Sequence, residues 1–170
     1  ASKWDPQIGY FLAVAKRASG DLQGAKDALS DAANLVNSAH YDDLREVPHL
    51  LLMGGLINFS NGELEKARQF FTDFISSDPD NLLAHKMLGA TLLALKEPLK
   101  AIPVLQRAAE LSPKVPDLHR QLAEAYFQAG QLGKAVASLE TADRLAPEQP
   151  ETLLKLGLYR LAAKERKKAL

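Results

Sequence analysis

Four histidines and a scatter of carboxylates are the residues with which this chain could do chemistry. His85 and His119 lie 34 residues apart in similar apolar runs. A metal held on one helix needs a second ligand three or four residues on. Those positions hold Leu88, Gly89, Leu122 and Ala123, none of which is a ligand. His40 with Asp42 and Asp43 is the only close cluster, and the bland reading of that trio is a loop. The absence of cysteine excludes disulfides and thiolate metal sites without choosing between cytosol and periplasm. There is no glycine-rich phosphate loop and no nucleophile elbow. Asn58-Phe59-Ser60 matches the glycosylation sequon, but it falls late in an expected helix. These residues predict a chain that is not an enzyme and has no metal and no cofactor.

The elements that would carry any site follow from a repeat. Ala67, Ala101 and Ala135 recur every 34 residues and open the runs ARQFF, AIPVL and AVASL. Twelve residues after each comes a proline (Pro79, Pro113, Pro147), and twelve before each a small residue (Gly55, Gly89, Ala123). Gly157 extends the small series by another 34. A fixed period of this length signals stacked helix–turn–helix units. The frames are 48–81, 82–115 and 116–149, with a fourth from Pro150 to Leu170. That fourth frame should supply one full helix and the start of another, whose anchor falls on Ala169. A further repeat at about 6–39 carries Ala13 in the small slot and ends at Asn37 instead of proline. The eight residues 40–47, HYDDLREV, are an insertion that either lengthens a helix or forms a loop. Residues 1–5, Trp4 among them, are expected to fray.

Each frame reads as two amphipathic helices. In 82–115 these are LLAHKMLGATLLA and LKAIPVLQRAAEL, with Asp80 or Asn81 as the cap of the first. Turns fall near Asn61–Gly62, Lys96–Pro98 and Ala129–Gly130. Pro103 lies about one turn into its helix, where a missing N–H costs least. Gly89 is costly mid-helix, by about 1 kcal/mol, unless a neighbouring helix approaches closely. The recurrence of small residues at Gly55, Gly89, Ala123 and Gly157 predicts that all four serve packing.

Composition agrees with a helical globular array, 46% hydrophobic and 25% charged, with no apolar run long enough to cross a bilayer. The net charge of zero argues against nucleic acid as a partner. The charge is unevenly spread. Residues 1–85 hold 7 basic and 12 acidic side chains, and 86–170 hold 14 and 9. Arg160, Lys164, Arg166, Lys167 and Lys168 supply most of the excess. A solvated helix face is the favoured reading of that cluster, and a basic patch for an acidic partner is the alternative.

These residues resemble the tetratricopeptide repeat. The pattern appears as Leu88-Gly89, Leu92, Ala101, Leu105, Ala108 and Pro113, and again as Leu122-Ala123, Tyr126, Ala135, Leu139, Ala142 and Pro147. Gly54-Gly55, Asn58, Ala67, Phe71, Phe74 and Pro79 form a third copy. The slot that the family fills with tryptophan holds Leu51, His85, His119 and Leu153, and Phe74 stands in an alanine slot. The resemblance implies an all-α, right-handed superhelical solenoid of antiparallel helix pairs, a single array over 1–170. It also implies a scaffold that binds a protein or peptide in a concave groove. The groove slots it assigns are Tyr10, Val14 and Arg17 in one repeat, Leu52, Leu56 and Phe59 in the next, then Lys86, Ala90 and Leu93, then Arg120, Glu124 and Phe127. Met53 and Met87 lie beside the row. Either this row is a site for an apolar or amphipathic peptide, or its members pack on one another and on the insertion. The lysine–asparagine–arginine clamp that some members use on a C-terminal carboxylate is absent: its first slots hold Tyr10, Val14, Met53, Leu83 and Met87.

The runs GELEKARQFF, PDNLLAHKMLGATLLALKEPLKAIPVL and LAEAYFQAGQLGKAVASLE are also similar to the long periplasmic tetratricopeptide lipoproteins of bacterial exosortase (PEP-CTERM) systems. That likeness implies an internal piece of a longer membrane-anchored array, active in envelope export or exopolysaccharide assembly; without it, a cytoplasmic protein is expected. The charge split leaves a head-to-tail homo-oligomer or structural spacer as an alternative, and the regulatory part of a larger enzyme as another.

Overall fold

A computed structural model of the chain describes residues 5–39, 44 and 47–168, the last four of these without their side chains. Trp4, Ala169 and the trio His40, Asp42 and Asp43 lie outside the described residues. Every described element is an α-helix, and the helices fall into two compact units divided after Pro79. The all-α expectation is met. The first unit holds α1 (Pro6–Ala18), α2 (Leu22–Ser38), α3 (Pro48–Asn61) and α4 (Leu64–Ser77). The second holds α5 (Leu82–Ala94), α6 (Pro98–Leu111), α7 (Pro116–Gln128), α8 (Leu132–Leu145) and α9 (Pro150–Lys168). Within the first unit α1 packs on α2, α2 on α3 and α3 on α4; within the second α5 packs on α6, α6 on α7, α7 on α8 and α8 on α9.

One turn is built four times. At each hairpin an N–H reaches back past a left-handed residue to a carbonyl five positions earlier: Asp21 to Lys16 (2.9 Å), Glu63 to Asn58 (2.8 Å), Glu97 to Leu92 (2.9 Å) and Gln131 to Tyr126 (2.8 Å). This closes the carbonyls that a helix end leaves open. The left-handed residue is Gly20, Gly62 and Gly130 in three turns, but Lys96, at φ 61°, in the fourth. A side chain there is held by the surrounding bonds against its own preference. Helix starts are equally local: Asp21 accepts from Gly24 N–H (2.8 Å) and Asn81 from Ala84 N–H (3.1 Å).

Two open alternatives are narrowed and three expectations need correction. Asn81 is the cap of α5, while Asp80 takes an ion pair with Arg107 (2.5 Å). Asp5 belongs to no frayed end, because its carboxylate accepts the Gln7 N–H (2.9 Å) and caps α1. The insertion does not lengthen α2, since Ala39 already has extended backbone. Pro103 is the sixth residue of α6, beyond the first-turn N–H groups that need no partner. It therefore forfeits one bond, to the carbonyl of the exposed Leu99. The fourth frame has no turn: α9 runs unbroken through Lys164, where the 34-residue period would place one, because AAKERKK offers helix formers and neither glycine nor proline.

The small slots divide. A Cβ on Gly89 would strike Leu105, and one on Gly55 would strike the Phe71 ring. Both partners lie sixteen residues on, in the next helix, and both are fully buried. Ala123 and Leu139 repeat that spacing and are also fully buried. Gly157 does not pack: nothing lies within 4 Å of a Cβ placed on it. The filling side chain comes from the following helix, and among the described residues none follows α9.

Candidate functional site

In the first unit the residues singled out by sequence lie on α1 and α3. Tyr10, Val14 and Arg17 sit one helical turn apart and, with Ala13, Leu29 and Ser60 of α3, line a hollow of about 230 Å³. Ala13 and Leu29 belong with Ala28 to a small buried core, against which Tyr10 packs. The α3 row of Leu52, Met53, Leu56 and Phe59 is half-buried throughout. The opposite edge of α3 is buried, with Leu51, Gly54 and one polar residue, Asn58. Asn58, fully buried, donates to Gly54 O (2.8 Å) and accepts from Asn37 Nδ2 (3.0 Å), so the slot the family fills with tyrosine becomes a polar latch to α2. The structure thus brings Tyr10 and Val14 together around one hollow and leaves Leu52, Leu56 and Phe59 as an apolar row on the neighbouring helix.

In the second unit the corresponding residues are committed to one another. Lys86 of α5 pairs with Asp117 of α7 (2.5 Å), and Arg120 pairs with the same carboxylate (3.4 Å). Glu124 receives hydrogen bonds from Gln128 (3.0 Å) and the Tyr159 hydroxyl (2.7 Å), and Lys155 of α9 stands 3.9 Å away. The Phe127 and Tyr159 rings stack face to face at 4.0 Å. Met87 and Ala90 are half-buried beside this ladder.

Protonation follows from these partners. Burial opposes ionisation of Asp117, but the Lys86 hydrogen bond and the charges of Lys86 and Arg120 outweigh it and hold the carboxyl below its ordinary range. Burial likewise opposes Glu124. The bonds from Gln128 and Tyr159 and the charges of Lys155 and Lys96 bring its pKa below the ordinary value. Burial, then the bond to Glu124, pushes the Tyr159 phenol well up, so it remains a donor.

The residues missed in the sequence are Asp117, Lys155 and Tyr159. A usable signal was present. Lys86–Asp117 and Glu124–Lys155 are both 31 residues apart and opposite in charge. That offset is what neighbouring first helices of consecutive repeats place side by side. Among the described residues no three histidine or acidic side chains gather as metal ligands, and no helix is long and apolar enough to cross a membrane.

Two models of the tetratricopeptide repeat match the chain, over residues 52–116 and 92–156. A curated relative, anaphase-promoting complex subunit 7 of Dictyostelium discoideum, is 31% identical over 103 residues, which are 61% of this chain and 18% of that protein. The chain therefore spans less than a fifth of that relative. Among solved structures, MamA of Desulfovibrio magneticus superposes with a TM-score of 0.71 at 22% identity, covering 96% of this chain and 88% of that one. YrrB, described as a tetratricopeptide protein with an unusual peptide-binding site, superposes at 0.67 with 21% identity, covering 99% and 83%. At these identities the structures speak for the fold alone. The two sequence matches together run over 52–156, more than half of the chain, on helix hairpins that share one turn, and the chain belongs to the tetratricopeptide repeat family.

Proposed function

We propose that this chain is a non-catalytic interaction scaffold whose first unit takes the apolar face of a peptide or partner helix. The observation that carries the reading is the contrast in commitment. The hollow at Tyr10, Val14 and Arg17 and the row Leu52, Leu56 and Phe59 are half-open and apolar, with one cation at the rim. The equivalent charges of the second unit are spent on internal pairs. A peptide would place one apolar side chain in the 230 Å³ hollow beside Arg17. Met53 would give the surface tolerance of shape. Met87, Ala90 and Phe127 form a lesser apolar surface among the ion pairs of Lys86, Arg120 and Glu124.

The likeness to exosortase-system lipoproteins supports placing the scaffold in envelope export or exopolysaccharide assembly, where its partners would be other components of that machinery. Capture from an extract of the source cells tests both levels. The native chain is compared with a Leu52→Glu/Leu56→Glu variant of equal helicity by circular dichroism. Partners lost only with the variant support the first-unit surface, and envelope components among them support the pathway. Identical capture by both overturns the site, and capture confined to unrelated pathways overturns the envelope assignment.

A further inference from the structure

The second unit builds its first turn against two local preferences at once. The other three hairpins place Gly20, Gly62 or Gly130 in the left-handed position, but the α5–α6 turn places Lys96 there, at φ 61°. Two residues after each of those glycines comes a leucine, Leu22, Leu64 or Leu132, which opens its helix. Two residues after Lys96 stands Pro98 instead, and the leucine moves on by one, to Leu99. Leu64 and Leu132 are half-buried, whereas Leu99 is 70% exposed. α6 is packed between α5 and α7, so Leu99 is exposed by its place in the turn and not by the lack of a neighbouring helix. A side chain in left-handed backbone and a leucine in water each cost stability. Glycine and the usual spacing, both used elsewhere in this chain, would avoid both costs. Departures of this kind gather where a protein binds or acts.

The two residues stand on one recess. Lys96, Pro98, Leu99 and Lys100 line a hollow of about 440 Å³ together with Gln128 and Ala129 from the end of α7. Pro98, Leu99 and Ala129 give it an apolar shelf. Its two cations are not equally committed. Lys100 pairs with Glu97 (3.0 Å), which lines the same recess. Among the described residues Lys96 has no ion pair, and its charge acts on Glu124 only through space. Glu124 is already engaged by Gln128 (3.0 Å) and Tyr159 (2.7 Å). One positive charge is therefore left over beside an apolar shelf. A carboxylate complements that charge through a charge-assisted hydrogen bond, and an apolar side chain next to it would take Leu99 out of water.

We infer that the α5–α6 turn is a docking point for an acidic segment of a partner protein, which sets a carboxylate on Lys96 and a large apolar side chain on the shelf of Pro98, Leu99 and Ala129. The site lies wholly within the second unit. It uses no residue of the Tyr10 hollow or of the α3 row, so it goes beyond the first-unit reading and stands or falls separately.

The test is a titration of the whole isotope-labelled chain, followed by amide chemical shifts, with the end-blocked peptide Glu-Leu-Glu-Leu and its counterpart Gln-Leu-Gln-Leu. The acidic peptide is expected to shift the amides of Leu99, Lys100 and Ala129. It should bind about fivefold more tightly than the glutamine peptide, as an exposed charge pair allows, and this advantage should shrink with added salt. Lys96→Gly restores the residue of the other three turns, so Tm should rise while binding of the acidic peptide weakens about fivefold. A purely structural lysine would not separate the two readouts. Leu99→Ser should weaken both peptides. Leu52→Glu/Leu56→Glu should bind the acidic peptide as the native chain does. No shifts at millimolar peptide, equal binding of the two peptides, or unchanged binding by Lys96→Gly overturns the inference. Shifts confined to α1 and α3 overturn it too, while leaving the first-unit reading in place.

Discussion

α5 and α9 carry the same glycine slot, at Gly89 and Gly157, yet only the first is filled. Gly89 is pressed by Leu105 from the next helix, whereas Gly157 faces open space. α5 is covered by α6 along its length, while α9 is held on one edge by Thr152, Leu156 and Tyr159 and shows leucines on the other. The same residue in the same repeat position is therefore a packing requirement in one helix and a cost in the other. A slot in a repeat protein is defined by its neighbour as much as by its sequence.

The largest effect expected from that contrast is a pair of identical substitutions with different outcomes. Gly89→Leu overpacks a closed interface and should cost about 1–3 kcal/mol, read as a fall in Tm. Gly157→Leu meets no atom at its Cβ and replaces a poor helix former, so it should cost nothing and raise stability by somewhat under about 1 kcal/mol. Equal losses at both sites would break the comparison. A smaller effect sharpens it. Gly157→Ala removes a mid-helix glycine without meeting any atom, and should raise stability by about 1 kcal/mol. Gly89→Ala should lower stability, because Leu105 is boxed in.

The edge that does hold α9 gives the next test. Tyr159→Phe keeps the stack on Phe127 but loses the bond to Glu124, at a cost of about 1 kcal/mol. Hydrogen exchange should quicken in α9 while α5 is unaffected; a uniform change would show that α9 is held elsewhere. The smallest effect is in acid. The folded-state pKa of Glu124 lies below its usual 4.5, so the stability it adds is present above that value and is lost as pH falls through the folded pKa. Glu124→Gln should flatten the acid dependence of Tm for unfolding of the second unit. An unchanged slope would assign the acid sensitivity to Asp117, whose pKa is also lowered.

How much was legible can be argued from particular residues. The span Leu82–Ala94 and the turns at Gly62 and Gly130 could be read directly, because helix periodicity and turn chemistry act over a few neighbours in the chain. Lys96 could be placed in a turn by its period, but its left-handed backbone could not, because nothing local favours it. Of the candidate site, the rows of α3 and α7 were readable as helix faces, and their fates were not. Lys86 and Glu124 look like open groove charges until the helix 31 residues on brings Asp117 and Lys155 beside them.

The sequence by itself determined the repeat, the helices and the apolar faces, since each is a pattern repeated within one chain. Only the tertiary structure decided which faces are spent. Pairings such as Glu124 with Tyr159, 35 residues apart, exist because two helices lie side by side, and a slot such as Gly157 stays empty because no described helix covers it. Burial and electrostatic partnership depend on what arrives from elsewhere in space, and a repeat period alone does not say whether a neighbour is there.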